Sequence, residues 1–122
     1  MESAMAEQQG SNLTPAMLNV LLVLAQGELH GYGIMSAVNQ QVQGNFHLGT
    51  GTLYRSIHQL LAKGLICVGR EDAIENHTNE PRRYYRITAQ GVAALNAEID
   101  RLEHLVKFAQ QVRKTELGYQ EG

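Results

Sequence analysis

Between Thr50 and Gln59 the chain carries a run of side chains suited to touching a nucleic-acid duplex. Thr50-Gly51-Thr52 is small enough to let a helix end come close to a groove, where its free N–H groups can meet a phosphate. Tyr54 can put its hydroxyl on a phosphate. Arg55 has the length and the planar fork to meet guanine O6 and N7 in bidentate fashion. Ser56 and Gln59 follow one turn later with groups that reach bases or backbone. A second basic group is Arg82-Arg83-Tyr84-Tyr85-Arg86. Arg82 and Arg83 lie beside a loop, where a hairpin meets backbone or minor groove, and Arg86 reads as structural. The plain alternative for both segments is a solvated polar surface, and the sequence leaves it open.

Other chemistries lack their residue sets. His30, His47, His58, His77 and His104 never fall at i, i+4 or near a cysteine, so no metal ligand is assigned. His58 lies mid-helix on an exposed side. Cys67 is the single cysteine, which excludes an internal disulfide and a Cys-based metal site. Its neighbours Leu65, Ile66 and Val68 make it a small buried hydrophobe, with a reactive thiol as the alternative. There is no Ser-His-Asp order, glycine-rich phosphate loop or carboxylate pair, so no enzyme is expected and no cofactor is implied.

The elements that must position these residues can be read from hydrophobic spacing. Thr14 caps and Pro15 opens a first helix, with Met17, Leu18, Leu21, Leu22 and Ala25 on one face and Gly27 as its stop. A second helix begins near His30-Gly31-Tyr32, repeats Ile34, Val38 and Val42, and breaks at Gly44-Asn45. A third follows Leu48, capped by Gly49 or Thr50. Leu53, Ile57, Leu60 and Leu61 face inward; Thr52, Arg55, Ser56, Gln59 and Lys63 face away; Gly64 ends it. Two β-rich runs, from Leu65 to Arg70 and from Arg82 to Thr88, then flank a polar loop, which predicts a hairpin. Thr88 caps a last helix in which Val92, Leu95, Ile99, Leu102, Val106 and Ala109 alternate steps of three and four. Leu105 and Phe108 widen that stripe. So long a terminal helix needs a cover for its apolar face, and a second copy of the chain is the expected cover. Packing back on its own domain is the alternative.

Three helices, a hairpin and a long helix make a mainly α fold with a small β-hairpin, in winged helix-turn-helix order. The expected division is a disordered tail over 1–12, the winged helix-turn-helix domain over 13–88, a dimerisation helix over 89–114 and a tail over 115–122. With 122 residues, 43% hydrophobic and 18% charged, one globular domain is the natural size. The net charge of −2 does not advertise nucleic-acid binding, but residues 49–88 hold six basic against four acidic residues. Phosphate contact needs local positive charge, not a basic whole. The first dozen residues carry Glu2 and Glu7 and no basic residue, unlike a signal peptide, and no apolar stretch approaches a membrane span. A cytoplasmic protein with no membrane partner is expected.

Several short motifs together resemble the PadR family of transcriptional regulators, in its short form with one C-terminal helix. They are Leu13-Thr14-Pro15, His30-Gly31-Tyr32-Gly33-Ile34, Gly51-Thr52-Leu53-Tyr54-Arg55, Lys63-Gly64-Leu65-Ile66, and Arg82-Arg83-Tyr84-Tyr85-Arg86-Ile87-Thr88 with Gly91. The resemblance implies a homodimer joined through the last helix. It implies double-stranded DNA as partner, in the form of a palindromic operator, and repression relieved by a small-molecule effector. It assigns Thr50, Gly51, Thr52, Tyr54 and Arg55 to the operator and places Tyr32 near backbone phosphate. Two departures stand out. Asn79-Glu80-Pro81 replaces the family's Gly-Arg-Pro wing tip, and Gln59-Leu60-Leu61 replaces a basic-Leu-acidic triplet. The chain has no Trp, so binding of flat aromatic drugs between tryptophans does not carry over, and Phe108 reads as core or dimer packing. The competing reading is a winged helix used as a protein-interaction module; an enzyme or metal-binding protein is the remoter one.

Overall fold

Thr14 accepts a hydrogen bond from the Met17 N–H at 3.1 Å and Pro15 takes the first helical position, so helix α1 (Pro15–Leu24) starts where a cap and a fixed φ coincide. The computed structural model describes residues 13–41, 47–74 and 81–115. The expected tail over 1–12, residues 116–122 of the tail expected over 115–122, the wing tip at Asn79-Glu80, Val42 and the break at Gly44-Asn45 lie outside the described residues, while Thr115 is helical rather than part of a tail. α1 is the centre of the core: Ala16, Met17, Val20, Leu21, Val23 and Leu24 are buried, and it packs against helices from the rest of the chain. Burial of each large side chain contributes roughly 1.5–3 kcal/mol.

Strand β1 (Leu29–His30) leads directly into α2 (Gly31–Gln41). The His30 Nδ1 accepts from the Gly33 N–H at 3.0 Å, so the imidazole does the work of a helix cap. α2 buries Ile34 and Val38. Helix α3 (Thr50–Ala62) is capped by the backbone of Gly49 without a side-chain bond. It ends in a two-bond αL cap: the Leu65 N–H reaches Leu60 O and the Gly64 N–H reaches Leu61 O, both at 3.0 Å, with Gly64 at φ +75°. Both helix ends agree with the sequence reading.

Strands β2 (Ile66–Ile74) and β3 (Pro81–Ile87) form the expected antiparallel hairpin, but the sheet has three strands in the order β1-β3-β2. Leu29 pairs with Tyr85 and His30 with Tyr84. The pleat sends Tyr85 into the core and leaves His30, Tyr84 and Arg70 on the outer face. There the His30 and Tyr84 rings meet edge to face at 5.2 Å, and the Arg70 guanidinium lies 4.1 Å from the Tyr84 ring centre.

One joint ties these elements to α4 (Ala89–Thr115). Thr88 donates its N–H to Leu65 O at 3.0 Å and its hydroxyl to Gly64 O at 2.7 Å, and the same hydroxyl accepts from the Gly91 N–H at 3.0 Å. The end of α3, the start of β2, the end of β3 and the start of α4 therefore meet at one threonine. Gly91 is buried there, its α-carbon turned on the Leu65 carbonyl and the Ile87 side chain so closely that no Cβ fits.

α4 does not present its heptad positions as one free seam. Leu95 is 5% exposed and belongs to the chain's own core, and Ile99 packs partly against that core. Both were expected to face a partner. The first turns lie beside α1 and β3, whose apolar faces claim these residues first. Glu98 is buried on the same side and is held by Arg101 through Nε–Oε1 at 3.0 Å and Nη2–Oε2 at 2.6 Å. The carboxylate also holds the Arg101 guanidinium above its ordinary pKa, by hydrogen bonding first and charge second. Farther along, Leu105, Val106 and Phe108 are half-exposed or more, and Val92 is open as well. Ile99, Leu102, Glu103, Val106, Lys107 and Gln110 line a shallow groove on this face.

Candidate nucleic-acid interface

α3 turns a mixed face to solvent because its apolar residues fall on one side. Leu53, Ser56, Ile57 and Leu60 are buried at i, i+3, i+4 and i+7. At roughly 100° per residue, the opposite side is centred on Gly51, Arg55, His58 and Ala62, all exposed. Thr52 and Gln59 flank that face and are exposed too. Ser56 corrects the sequence reading. It is 3% exposed and lies inside the apolar stripe, so its hydroxyl is not available to a base or a phosphate.

The N-terminal end of α3 is fixed from the preceding helix. The Asn39 side chain donates Nδ2–H to Leu48 O at 3.1 Å and accepts the Leu48 N–H on Oδ1 at 2.7 Å. Leu48 is fully buried and stands two residues before α3 begins. The carboxamide thus takes both backbone groups of Leu48 and pins the turn to α2. Thr50 adds a weak contact from its hydroxyl to the Met35 sulfur at 3.8 Å. Asn39 was missed in the sequence because an Asn near a helix end carries no spacing signal. Replacing Asn39 by Ala strands a buried N–H and C=O and is expected to cost about 1–3 kcal/mol. A denaturant midpoint unchanged from the parent would remove Asn39 from this role.

Tyr54 is not simply an outward arm. Its ring and hydroxyl lie against Gly31 at the start of α2, 2.6 Å from where a Cβ would stand, while 44% of the residue stays exposed. Only glycine at position 31 allows this approach. The phenol therefore sits beside the α2 N-terminus, near Tyr32, which is 70% exposed and stacks at 6.5 Å on His30. Two tyrosines, one from each helix, and the N-terminal end of α2 make a surface suited to a phosphate. In the hairpin Arg82 and Arg83 are exposed. Successive residues of a strand point to opposite faces, so these two do not act as one cluster. Among the described residues, no group of three or more His, Cys, Asp or Glu is placed to hold a metal, and no helix is long and apolar enough to cross a membrane.

The order of three helices, hairpin and long helix, with an exposed third helix, is also that of known regulators. Residues 20–97 match the transcriptional regulator PadR-like family. The chain belongs to that family. This PadR-like chain is 31% identical over 90 residues to the transcriptional regulator Rv3488 of Mycobacterium tuberculosis, covering 74% of its own length and 78% of the relative. It is similar to a PadR family transcription regulator of Clostridium difficile, at 25% identity and a TM-score of 0.61, over 85% of this chain and 99% of that one. It is also similar to Bacillus subtilis PadR solved in complex with operator DNA, at 25% identity and a TM-score of 0.57. That match covers 66% of this chain and 44% of the other.

Proposed function

We propose that this PadR-like regulator binds duplex DNA by sequence, as a homodimer on a palindromic operator. The observation that carries this reading is α3. It is held at its start by Asn39 and at its end by the Gly64 cap, and it turns Gly51, Arg55 and their neighbours away from the core. Thr50, Gly51, Thr52, Arg55 and Gln59 are its groove-facing residues; Tyr32 and Tyr54 meet backbone phosphate; Arg82 and Arg83 add hairpin contacts. The operator-bound state of the Bacillus subtilis relative supports the same use of the fold. Dimerisation runs through α4 beyond the joint. Repression, release by a small-molecule effector and a cytoplasmic site of action rest on the family resemblance.

The test is fluorescence anisotropy with labelled duplex from the gene's own upstream region, against a scrambled duplex, across a salt series. Tight, salt-sensitive binding to the native duplex alone is the expected result. Arg55→Ala is expected to weaken that binding by ~1–3 kcal/mol if Arg55 reads a base. An equal loss on every sequence would reassign Arg55 to phosphate. The net charge of −2 favours a second reading, a winged helix that docks proteins. A folded dimer that binds no duplex at low salt would support it.

A further inference from the structure

We propose that His58 reads a base in the major groove beside the one read by Arg55; this rests on the DNA-binding reading above. The argument starts from the side of α3 that cannot be used. Leu53, Ser56, Ile57 and Leu60 are buried, which fixes the orientation of the helix about its axis. The direction opposite this stripe passes between Arg55 and His58, closer to each of them than to Thr52 or Gln59. Gly51, Arg55 and His58 stand at i, i+4 and i+7, one side of a helix over two turns. Such spacing is what a helix lying in a major groove uses to reach successive base edges.

The surroundings leave His58 available. It is exposed, no hydrogen bond, ion pair or ring contact engages it among the described residues, and Gly51 and Ala62 on the same face are too small to hold a groove wall away. Helix rise puts His58 about 4.5 Å beyond Arg55, against about 3.4 Å per base-pair step. It therefore addresses a neighbouring pair. An imidazole N–H donates to a purine N7 or to guanine O6, and both acceptors line the major groove.

The experiment selects duplexes from a random library with the full chain, and repeats the selection with His58→Ala and His58→Gln. The wild-type winner and a scrambled duplex are then titrated with each protein. His58→Ala is expected to lose one base preference per half-site next to that lost in Arg55→Ala. Its affinity for the wild-type winner should fall roughly ten-fold, with scrambled-duplex affinity and melting temperature unchanged. An identical selected motif with unchanged affinity would overturn the proposal. So would an equal loss on both duplexes, which marks a phosphate contact. A wild-type chain that enriches no motif overturns the DNA reading itself, and this assignment with it.

Discussion

The double substitution Leu105→Asp with Val106→Asp is expected to give a folded monomer with at least a hundred-fold weaker grip on its operator. Both residues are more than half exposed in the single chain, at 51% and 52%, so the winged domain loses little packing of its own. What it loses is the exposed apolar surface proposed to meet a second copy. Two charges on each helix would then face each other in a closed interface, and unpaired buried charge is strongly unfavourable. The affinity loss follows from valence. A dimer on a palindrome binds its second half-site intramolecularly, a gain of about 10²–10⁴ that a monomer forgoes. Light scattering reports the mass, and circular dichroism reports the fold. A variant that remains dimeric would move the interface off α4. Ile99→Asp is the poorer probe, because Ile99 also packs on its own core and its loss would confound folding with assembly.

Gly91→Ala is the second large effect, and its sign is informative. Helix propensity alone favours Ala over Gly by about 1 kcal/mol. At position 91 the added Cβ would overlap the Leu65 carbonyl oxygen and press on Ile87 Cγ1. The obstacle is backbone, and that carbonyl already accepts the Thr88 N–H. It cannot step aside without breaking the joint, so the steric cost falls near the upper end of the usual range, about 3 kcal/mol. The net expectation is a loss of about 2 kcal/mol, a fall in Tm of roughly 10 °C for a domain of this size. A rise in Tm would mean that α4 can slide away from β2 freely.

The local signals in this sequence are faithful ones. Thr14, Gly64 and Thr88 mark helix ends through bonds made within a few residues, and each does so in the structure. The hairpin is legible for the same reason. Leu29–His30 is not, because a two-residue strand shows no alternation and its partner Tyr84-Tyr85 lies far along the chain. Ser56 misleads in a different way. Polarity assigned it to solvent, yet spacing puts it between Leu53 and Ile57 on the buried stripe, and spacing prevailed. On α4 the pattern gave the right helix and an incomplete division of labour. A heptad stripe cannot say which of its residues serve the chain's own core, as Leu95 does, and which the single chain leaves exposed, as it does Val106.

The threonine joint sets an angular tolerance. α3 has 13 residues and is therefore about 20 Å long, anchored at its far end where Gly64 and Leu65 accept the Thr88 bonds. A rotation of roughly 10° about that anchor sweeps the N-terminus of α3 through about 3.4 Å, one base-pair step. In a dimer clasped through α4 both tips would err, in opposite directions, and the separation they measure along the duplex would drift by two steps. A gauge that distinguishes one operator spacing from the next must hold its jaws to within a few degrees. Three hydrogen bonds at one threonine, two of them on its hydroxyl, and a helix start with no room for a single carbon, are the features that would hold such jaws in place.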